Sequence, residues 1–269
     1  MAGVLERTLG ILELLAHEAE GLPLAMIAER LDMPRSAAHR LLSDLARHGY
    51  VRQVREQGDY ALTTKLTSLG LGYLSASGIV DAAQPLLDGL AKRTGELVRL
   101  SVVDGRRLTW VAKAQGARSG LRYDPDMGAI ARLSCSSSGL AWLSTMSDEQ
   151  ALELVAEQGF GKPEEYGPNA PATAIALMEQ LKLTRERGFS VTIETFTPGM
   201  AAMAAPVRRG QDAAIGTISV AGPHVRLTEA KMLELDNELM AVAAELAASA
   251  SASSLLRGGD RPTTASQLR

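Results

Sequence analysis

Hydrogen-bond donors recur along one face of a helical segment near the amino terminus. Within residues 34–48, Ala38, Leu42 and Leu45 recur at helical spacing, so the opposite face is polar. That polar face carries Arg35, Ser36, His39, Arg40 and Ser43. Such side chains donate hydrogen bonds to base edges and phosphates, and the major groove of duplex DNA admits a helix. We interpret this face as a DNA-reading surface, although a plain surface histidine explains His39 equally well.

Local charge separates this segment from the rest of the chain. Residues 1–32 carry two arginines and six acids, a net charge of −4, and the whole chain has a net charge of −3. Residues 33–55 carry five arginines and one aspartate, a net charge of +4. Arginine suits bidentate contacts with guanine or phosphate, so Arg52 and Arg55 join the DNA-binding set. Only Tyr50 and Tyr60 are aromatic here, which disfavours single-stranded RNA.

A second polar cluster lies at residues 134–139, where the sequence reads Ser-Cys-Ser-Ser-Ser-Gly before a helical pattern. Hydroxyl groups there can cap a helix, and free N–H groups at a helix start attract carboxylates. Plain capping without a ligand remains the alternative. Cys135 is the only cysteine, so no internal disulfide forms, and we interpret it as a small buried thiol.

The helices and strands that position the first polar face are predicted within the first 63 residues. Apolar periodicity predicts helices near residues 4–17, 24–31 and 34–48. Residues 50–54 and 60–62 are typical of two strands, joined by a turn that contains Gly58. Three helices followed by a hairpin predict a winged helix-turn-helix domain over residues 1–63. A linker helix is expected over residues 64–78.

The remaining chain alternates strand and helix patterns. Strands are expected near residues 97–103, 108–114, 120–123, 189–193, 201–208 and 213–220. Helices are expected near residues 137–146, 148–157, 172–186 and 229–248. We predict an α+β domain over residues 79–248, built on one antiparallel sheet. Residues 249–269 are rich in Ser, Ala, Gly and Thr, which predicts a disordered tail.

Other function classes find little support in the residues. The serines near Gly139 lack the glycine flanks of a nucleophile elbow, and His224 is the only histidine in the carboxy-terminal half. One cysteine and four scattered histidines give no zinc spacing. No apolar run approaches the roughly 18 residues of a membrane span. We expect no enzyme activity, no cofactor, no metal and no membrane partner, and a cytoplasmic location.

The sequence resembles the IclR family of transcriptional regulators from residue 4 to about 245. The first half of the resemblance is carried by "RTLGILELLA", "LPLAMIAERLDMPRSAAHRLLSDLARHGYV" and "GDYALT". The second half is carried by "ARLSCSSSGLAWL", "RERGFSV", "GMAAMAAPV" and "ISVAGPHVRLT". The resemblance implies a GAF-like effector-binding domain, a homodimer or homotetramer, a partly palindromic double-stranded operator, and control of catabolic genes by a small organic acid. Whether the protein represses or activates stays open.

The resemblance also implies which residues surround the effector. By position they are Tyr123, Ala131, Ser137, Ser138, Thr192, Met200, Ala202, Ser219 and Ala221. Relatives with small-acid pockets carry an aspartate, a cysteine and two serines where this chain has Thr192, Ala202, Ser219 and Ala221. The loss of polar partners predicts a larger, less polar effector, such as an aromatic carboxylate.

Three alternatives accompany these expectations. Met200 and Met203 are interpretable as ordinary core filler. Arg122 could pair with a ligand acid, but an exposed arginine is the preferred interpretation. A small-molecule-binding protein whose winged helix docks a protein partner is the alternative to DNA binding.

Overall fold

The structure is a computed structural model that describes residues 3–54, 58–125, 127–254 and 256. The chain folds as two compact units, residues 1–76 and residues 77–269. The sequence assigned residues 64–78 to a separate linker helix, and the structure groups most of that helix with the first unit. Within the described ranges, we find no helix with the length and hydropathy needed to cross a lipid bilayer.

The first unit contains four helices and a short hairpin among its described residues. These elements are α1 (Val4–Ala16), α2 (Leu24–Arg30), α3 (Arg35–Arg47), β1 (Val51–Gln53), β2 (Tyr60–Leu62) and α4 (Thr64–Ser77). The strands β1 and β2 pair antiparallel. Ile11, Ile27, Leu42 and Val51 are among the side chains buried in one core between α1, α2, α3 and the hairpin. Three helices and a two-stranded wing form a winged helix-turn-helix.

A close backbone contact fixes α2 against the wing. Gly21 has φ +88°, and a Cβ atom there would lie 2.8 Å from the Tyr60 carbonyl oxygen. Leu22 N–H donates to Tyr60 O at 3.0 Å, and Tyr60 N–H donates to Leu22 O at 2.8 Å. Only glycine allows this approach, because any side chain at that position would strain both the backbone and the contact. The contact helps to set the position of α3, which follows α2 after a short turn.

The second unit is an α+β domain. Its helices are α5 (Ile79–Thr94), α6 (Ser137–Leu143), α7 (Asp148–Gln158), α8 (Ala174–Arg187), α9 (Glu229–Glu234) and α10 (Asp236–Ala248). Its strands are β3 (Leu97–Asp104), β4 (Arg107–Gln115), β5 (Ser190–Ile193), β6 (Met200–Val207) and β7 (Gly216–Pro223). Short 3₁₀ helices cover Pro163–Glu165 and Ser249–Ala252. The predicted fold class is therefore confirmed.

The five strands form one antiparallel sheet in the order β4-β3-β7-β6-β5. Side chains alternate between the two faces of a strand, so one face carries Val98, Val220 and Met203 and packs under α5 and α10. The opposite face carries Arg99 and Ser219 and packs against α6. The candidate site of this unit lies on that opposite face.

Three expectations about secondary structure were wrong. Residues 120–123 form no strand, because Gly120 adopts φ +75° and the segment is irregular. The expected helix over residues 229–248 is two helices that meet at Leu235. The chain remains ordered past residue 248, where Ala250, Ser253 and Leu256 are buried. The rest of the expected tail lies outside the described residues.

Candidate functional site

The polar face of α3 is accessible along its whole length. Pro34 adopts an extended conformation and precedes the helix, which begins at Arg35. Ala38, Leu41, Leu42 and Leu45 are buried, so helical geometry turns the intervening side chains outward. The exposed residues include every α3 residue of the predicted DNA-binding set, namely Arg35, Ser36, His39, Arg40 and Ser43.

The arginines of this surface differ in their partners. Arg47 pairs with Asp44 at 2.9 Å on the same helix. Arg35, Arg40 and Arg52 are exposed and form no hydrogen bond or ion pair with the residues that the structure describes. Their guanidinium N–H groups are therefore available to an external acceptor such as phosphate. Arg55, the remaining predicted contact, lies outside the described residues.

The second unit contains a cavity on the sheet face that packs against α6. About 310 Å³ of space, including its open mouth, is left unfilled between the sheet, the start of α6 and the loop that joins β5 to β6. The lining residues are Arg99, Tyr123, Ser136, Ser137, Thr192, Thr195, Phe196, Thr197, Met200, Ala201, Ala202 and Ala221. We call this space the sheet cavity.

Small side chains in register create the sheet cavity. Thr192 pairs with Ala202, Ala202 with Ala221, and Ala221 with Leu97, so one row across four strands has three short side chains. Short side chains leave room above the sheet that longer ones would fill. Arg99 lies in the next row, beside Ser219, on the same face.

The start of α6 forms one wall of the cavity. A Cβ atom at Gly139 would lie 2.5 Å from the backbone of Leu133, so this helix approaches the preceding loop closely. Ser136 Oγ accepts from Gly139 N–H at 3.0 Å and donates to Arg132 O at 2.7 Å. Thr195 Oγ1 donates to Cys135 O at 2.6 Å. Helix capping by Ser136 therefore accounts for one of the serines of this motif.

Six of the nine predicted effector residues line the sheet cavity: Tyr123, Ser137, Thr192, Met200, Ala202 and Ala221. The other three have different surroundings. Ala131 is buried in a core cluster with Leu108. Ser138 Oγ accepts from Trp110 Nε1 at 3.3 Å, because one helical step turns it away from its neighbour Ser137. Ser219 Oγ donates to Arg99 O at 3.4 Å.

Arg99 is a lining residue that the sequence analysis missed. Its side chain is buried, with 4% of the residue exposed, and its Cζ lies 4.0 Å from the ring centroid of Trp110. Burial lowers the pKa of Arg99 from its usual value to about 10, and interactions with Tyr123 oppose that shift. The guanidinium is therefore charged at neutral pH. A signal was present, because Arg99 is the single cation of a strand, Leu97–Asp104, whose other residues are mostly apolar.

The alternatives raised for other residues can be compared with their surroundings. Arg122 is exposed and pairs with Asp124 at 3.1 Å, which favours the interpretation of a surface arginine. Met203 is fully buried on the opposite sheet face, whereas Met200 lines the cavity. Cys135 is buried, and burial raises the pKa of its thiol to about 12. Among the described residues, no group of three or more His, Cys, Asp or Glu side chains is placed to hold a metal ion.

A winged helix-turn-helix with free arginines, followed by a domain with a partly enclosed cavity, defines a DNA-binding regulator of the ligand-responsive class. Two family descriptions match the chain. The IclR helix-turn-helix domain matches residues 4–55, and the bacterial transcriptional regulator IclR C-terminal domain matches residues 71–248. The protein belongs to the IclR family of transcriptional regulators.

Individual relatives agree with this assignment. The chain is 31% identical to the HTH-type transcriptional regulator BhcR of Paracoccus denitrificans, over 90% of this chain and 85% of the relative. It is 27% identical to the acetate operon repressor of Salmonella typhimurium, over 90% of this chain and 88% of the relative. Family members are regulators that bind DNA and small-molecule effectors and are not enzymes. This finding favours DNA over a protein partner for the winged helix.

A solved structure shares the fold. An IclR homolog from Microbacterium hydrocarbonoxydans, crystallised in complex with 4-hydroxybenzoate, superposes with a TM-score of 0.74. It is 20% identical in sequence, and the alignment covers 93% of this chain and all of that chain. The likeness extends over both units described above.

Proposed function

We propose that this regulator represses catabolic genes and responds to a small organic acid, preferably an aromatic carboxylate, bound in the sheet cavity. The observation that carries the proposal is the composition of the cavity, where aromatic and apolar walls lie beside a buried cation. Tyr123, Phe196 and Met200 supply the apolar walls, and Arg99 is the cation. An aromatic acid has the complementary pattern of a flat apolar body and one negative charge.

The apolar lining favours a ligand larger than a two- or three-carbon acid. Burying apolar surface contributes roughly 25 cal/mol per Å² before the costs of binding, so a small acid gains little from these walls. Ala202 and Ala221 contribute space but no hydrogen bonds from their side chains. The homolog crystallised with 4-hydroxybenzoate supports the same ligand class, and the acetate operon repressor supports the control of catabolic genes.

For the operator we propose a palindromic duplex read by a homodimer or homotetramer. One α3 helix covers only a half-site, and a two-fold assembly doubles the contacts. The exposed apolar side chains of α4 support self-association, since Leu69 and Tyr73 are 53% and 62% exposed. Arg35, Ser36, His39, Arg40 and Ser43 would face the major groove, and Arg52 and Arg55 would be further DNA contacts.

An electrophoretic mobility shift assay tests the proposal. The probe is the duplex upstream of the protein's own gene, titrated with the full chain in the presence of pyruvate, benzoate or 4-hydroxybenzoate. We expect a specific shifted band that the aromatic acids weaken and pyruvate does not. A band that none of a broad panel of organic acids alters would contradict an acid effector, and the absence of any sequence preference would contradict the operator proposal.

A further inference from the structure

Arg99 has surroundings that are unusual for a charged side chain. It is 4% exposed, and two of its nitrogens, Nε and Nη1, are buried without a hydrogen-bond acceptor. Burying a charge costs free energy unless the charge is paired, and buried N–H groups are normally satisfied. An arginine in this state either destabilises the protein or donates hydrogen bonds to an acceptor from outside the chain.

Interactions within the protein do not supply the missing acceptor. The ring of Trp110 lies 4.0 Å from Arg99 Cζ and that of Tyr123 lies 5.9 Å away, which stabilises the cation. Tyr123 also interacts with the guanidinium through a side-chain hydrogen bond, but Nε and Nη1 of Arg99 have no acceptor in the described part of the chain. Tyr123 Oη is hydrogen-bonded to Thr197 Oγ1 at 3.1 Å. Asp124 is held by Lys113 at 2.6 Å. Arg99 forms no ion pair with the residues that the structure describes.

Two of the hydroxyl groups near the cavity donate hydrogen bonds to backbone carbonyls. Thr192 Oγ1 donates to Ala202 O at 3.1 Å, and Ser219 Oγ donates to Arg99 O. Ser138 Oγ accepts from Trp110. The hydroxyl donors of Thr192 and Ser219 are thus committed to backbone carbonyls, whereas Nε and Nη1 of the buried guanidinium donate to no acceptor among the described residues.

We propose that Arg99 binds the carboxylate of the effector and makes the sheet cavity selective for acids over neutral molecules of the same shape. The inference rests on the proposed function of this cavity and names the residue that would recognise the charge. A guanidinium presents a planar fork that matches a carboxylate with two parallel hydrogen bonds. The carboxylate would therefore lie at the sheet, and the ligand body would extend towards Phe196 and Met200.

Isothermal titration calorimetry on the full chain tests the proposal with benzoate and 4-hydroxybenzoate, each compared with its neutral amide. The unmodified protein should bind each acid at least tenfold more tightly than the amide. Arg99→Met has a similar length without the charge and should weaken acid binding by at least a hundredfold while leaving amide binding within about threefold. Arg122→Met removes an exposed arginine that does not line the cavity and should change neither affinity.

Thermal unfolding without ligand supplies a second, independent readout. Replacing a buried unpaired charge by an apolar side chain of similar volume is neutral or stabilising, so Arg99→Met should unfold at the same temperature or higher. A large drop, or a failure of this variant to fold, would show a structural partner and overturn the proposal. Arg99→Lys keeps a charge without the planar fork and should bind acids with intermediate affinity.

The outcomes distinguish a failure of the acid-responsive regulator from a failure of the role of Arg99. If the unmodified protein binds no organic acid, the proposed function fails and the role of Arg99 fails with it. If the unmodified protein binds acids and Arg99→Met binds them equally well, the acid-responsive regulator stands and the assignment of Arg99 is wrong.

Discussion

The α3 surface and the sheet cavity both present arginines, but in opposite surroundings. Arg35 and Arg40 are exposed, so water solvates them in the absence of DNA and their charge costs little stability. Arg99 is buried, and burial lowers its pKa to about 10. Charged residues on the α3 surface can therefore change DNA affinity without changing the stability of the first unit. In the sheet cavity, by contrast, the residue proposed to recognise the ligand also affects the stability of its domain.

The largest effect is expected from removing the two free arginines of α3. Arg35→Ala combined with Arg40→Ala should weaken operator binding by about 2–6 kcal/mol, since one base contact is worth about 1–3 kcal/mol and separate contacts add approximately. Stability should change by less than about 0.5 kcal/mol, because both side chains are exposed. Mobility shifts at several salt concentrations and thermal unfolding measure the two quantities.

Arg47→Ala is the matched control for that pair. Arg47 lies on the same helix and is also exposed, but it already pairs with Asp44. Its removal should reduce affinity less than either Arg35→Ala or Arg40→Ala does. Equal losses from all three variants would indicate a diffuse electrostatic attraction and would remove the distinction between the predicted face and the rest of α3.

The cavity region should respond to a change that the first unit tolerates. Gly139→Ala places a Cβ atom 2.5 Å from the Leu133 backbone and should destabilise the second unit by roughly 1–3 kcal/mol. Gly72→Ala is the control, because a Cβ atom there meets nothing within 4 Å and alanine favours a helix by about 1 kcal/mol. Urea unfolding measures both. A Gly139→Ala variant as stable as the unmodified protein would contradict the close packing of α6.

The two regions also differ in how much the sequence could predict. The α3 surface follows from a 3.6-residue period and a change in local charge, both of which are properties of neighbouring residues. The cavity depends on the alignment of Thr192, Ala202 and Ala221 across strands that are far apart in sequence. Family resemblance supplied most of its residues, although it placed Ser138 in the cavity, where helical rotation instead turns that side chain towards Trp110.

Arg99 shows why the remainder was missed. The family resemblance did not name this position, and an arginine in a strand is ordinarily an exposed residue. The alternation of β3 places Arg99 on the same face as Leu97 and Ser101, but which face holds the cavity is decided by α6, more than thirty residues later. A lone cation within an apolar strand was the available signal. Whether that cation faces the cavity could be decided only from the register of the sheet.

Filling the cavity should affect ligand binding without affecting DNA binding. Ala202→Leu adds three carbon atoms to the row of short side chains and should weaken 4-hydroxybenzoate binding at least tenfold, about 1.4 kcal/mol. Operator affinity without ligand should stay unchanged, because DNA is contacted by the first unit. Ala172→Leu changes an exposed alanine of the second unit and serves as the control. Calorimetry that finds equal acid affinity for Ala202→Leu would exclude the sheet cavity as the binding site.

The smallest effect is expected from pH, and its sign follows from the pKa of Arg99. Burial lowers that pKa from its usual value to about 10, so the guanidinium is charged below about pH 10 in the ligand-free protein. The ligand-free protein holds this proton less tightly than the unfolded chain does, so this group adds stability only as pH rises from about 10 towards the higher pKa of arginine in the unfolded chain. A bound carboxylate favours the charged form and raises the pKa again. Acid affinity should therefore be constant between pH 6 and 9, and it should fall as pH rises through about 10.

Arg99→Lys sharpens that pH test. An ordinary lysine has a pKa of about 10.4, and burial at position 99 should lower it further. We therefore expect the pKa of Lys at this position to lie below the pKa of Arg99. Acid binding by this variant should begin to fall at a lower pH than binding by the unmodified protein, when both are measured by calorimetry in matched buffers. Identical pH profiles for the two proteins would mean that the group at position 99 does not carry the charge that the acid recognises, and the contrast between a solvated DNA surface and a charge-bearing cavity would then fail.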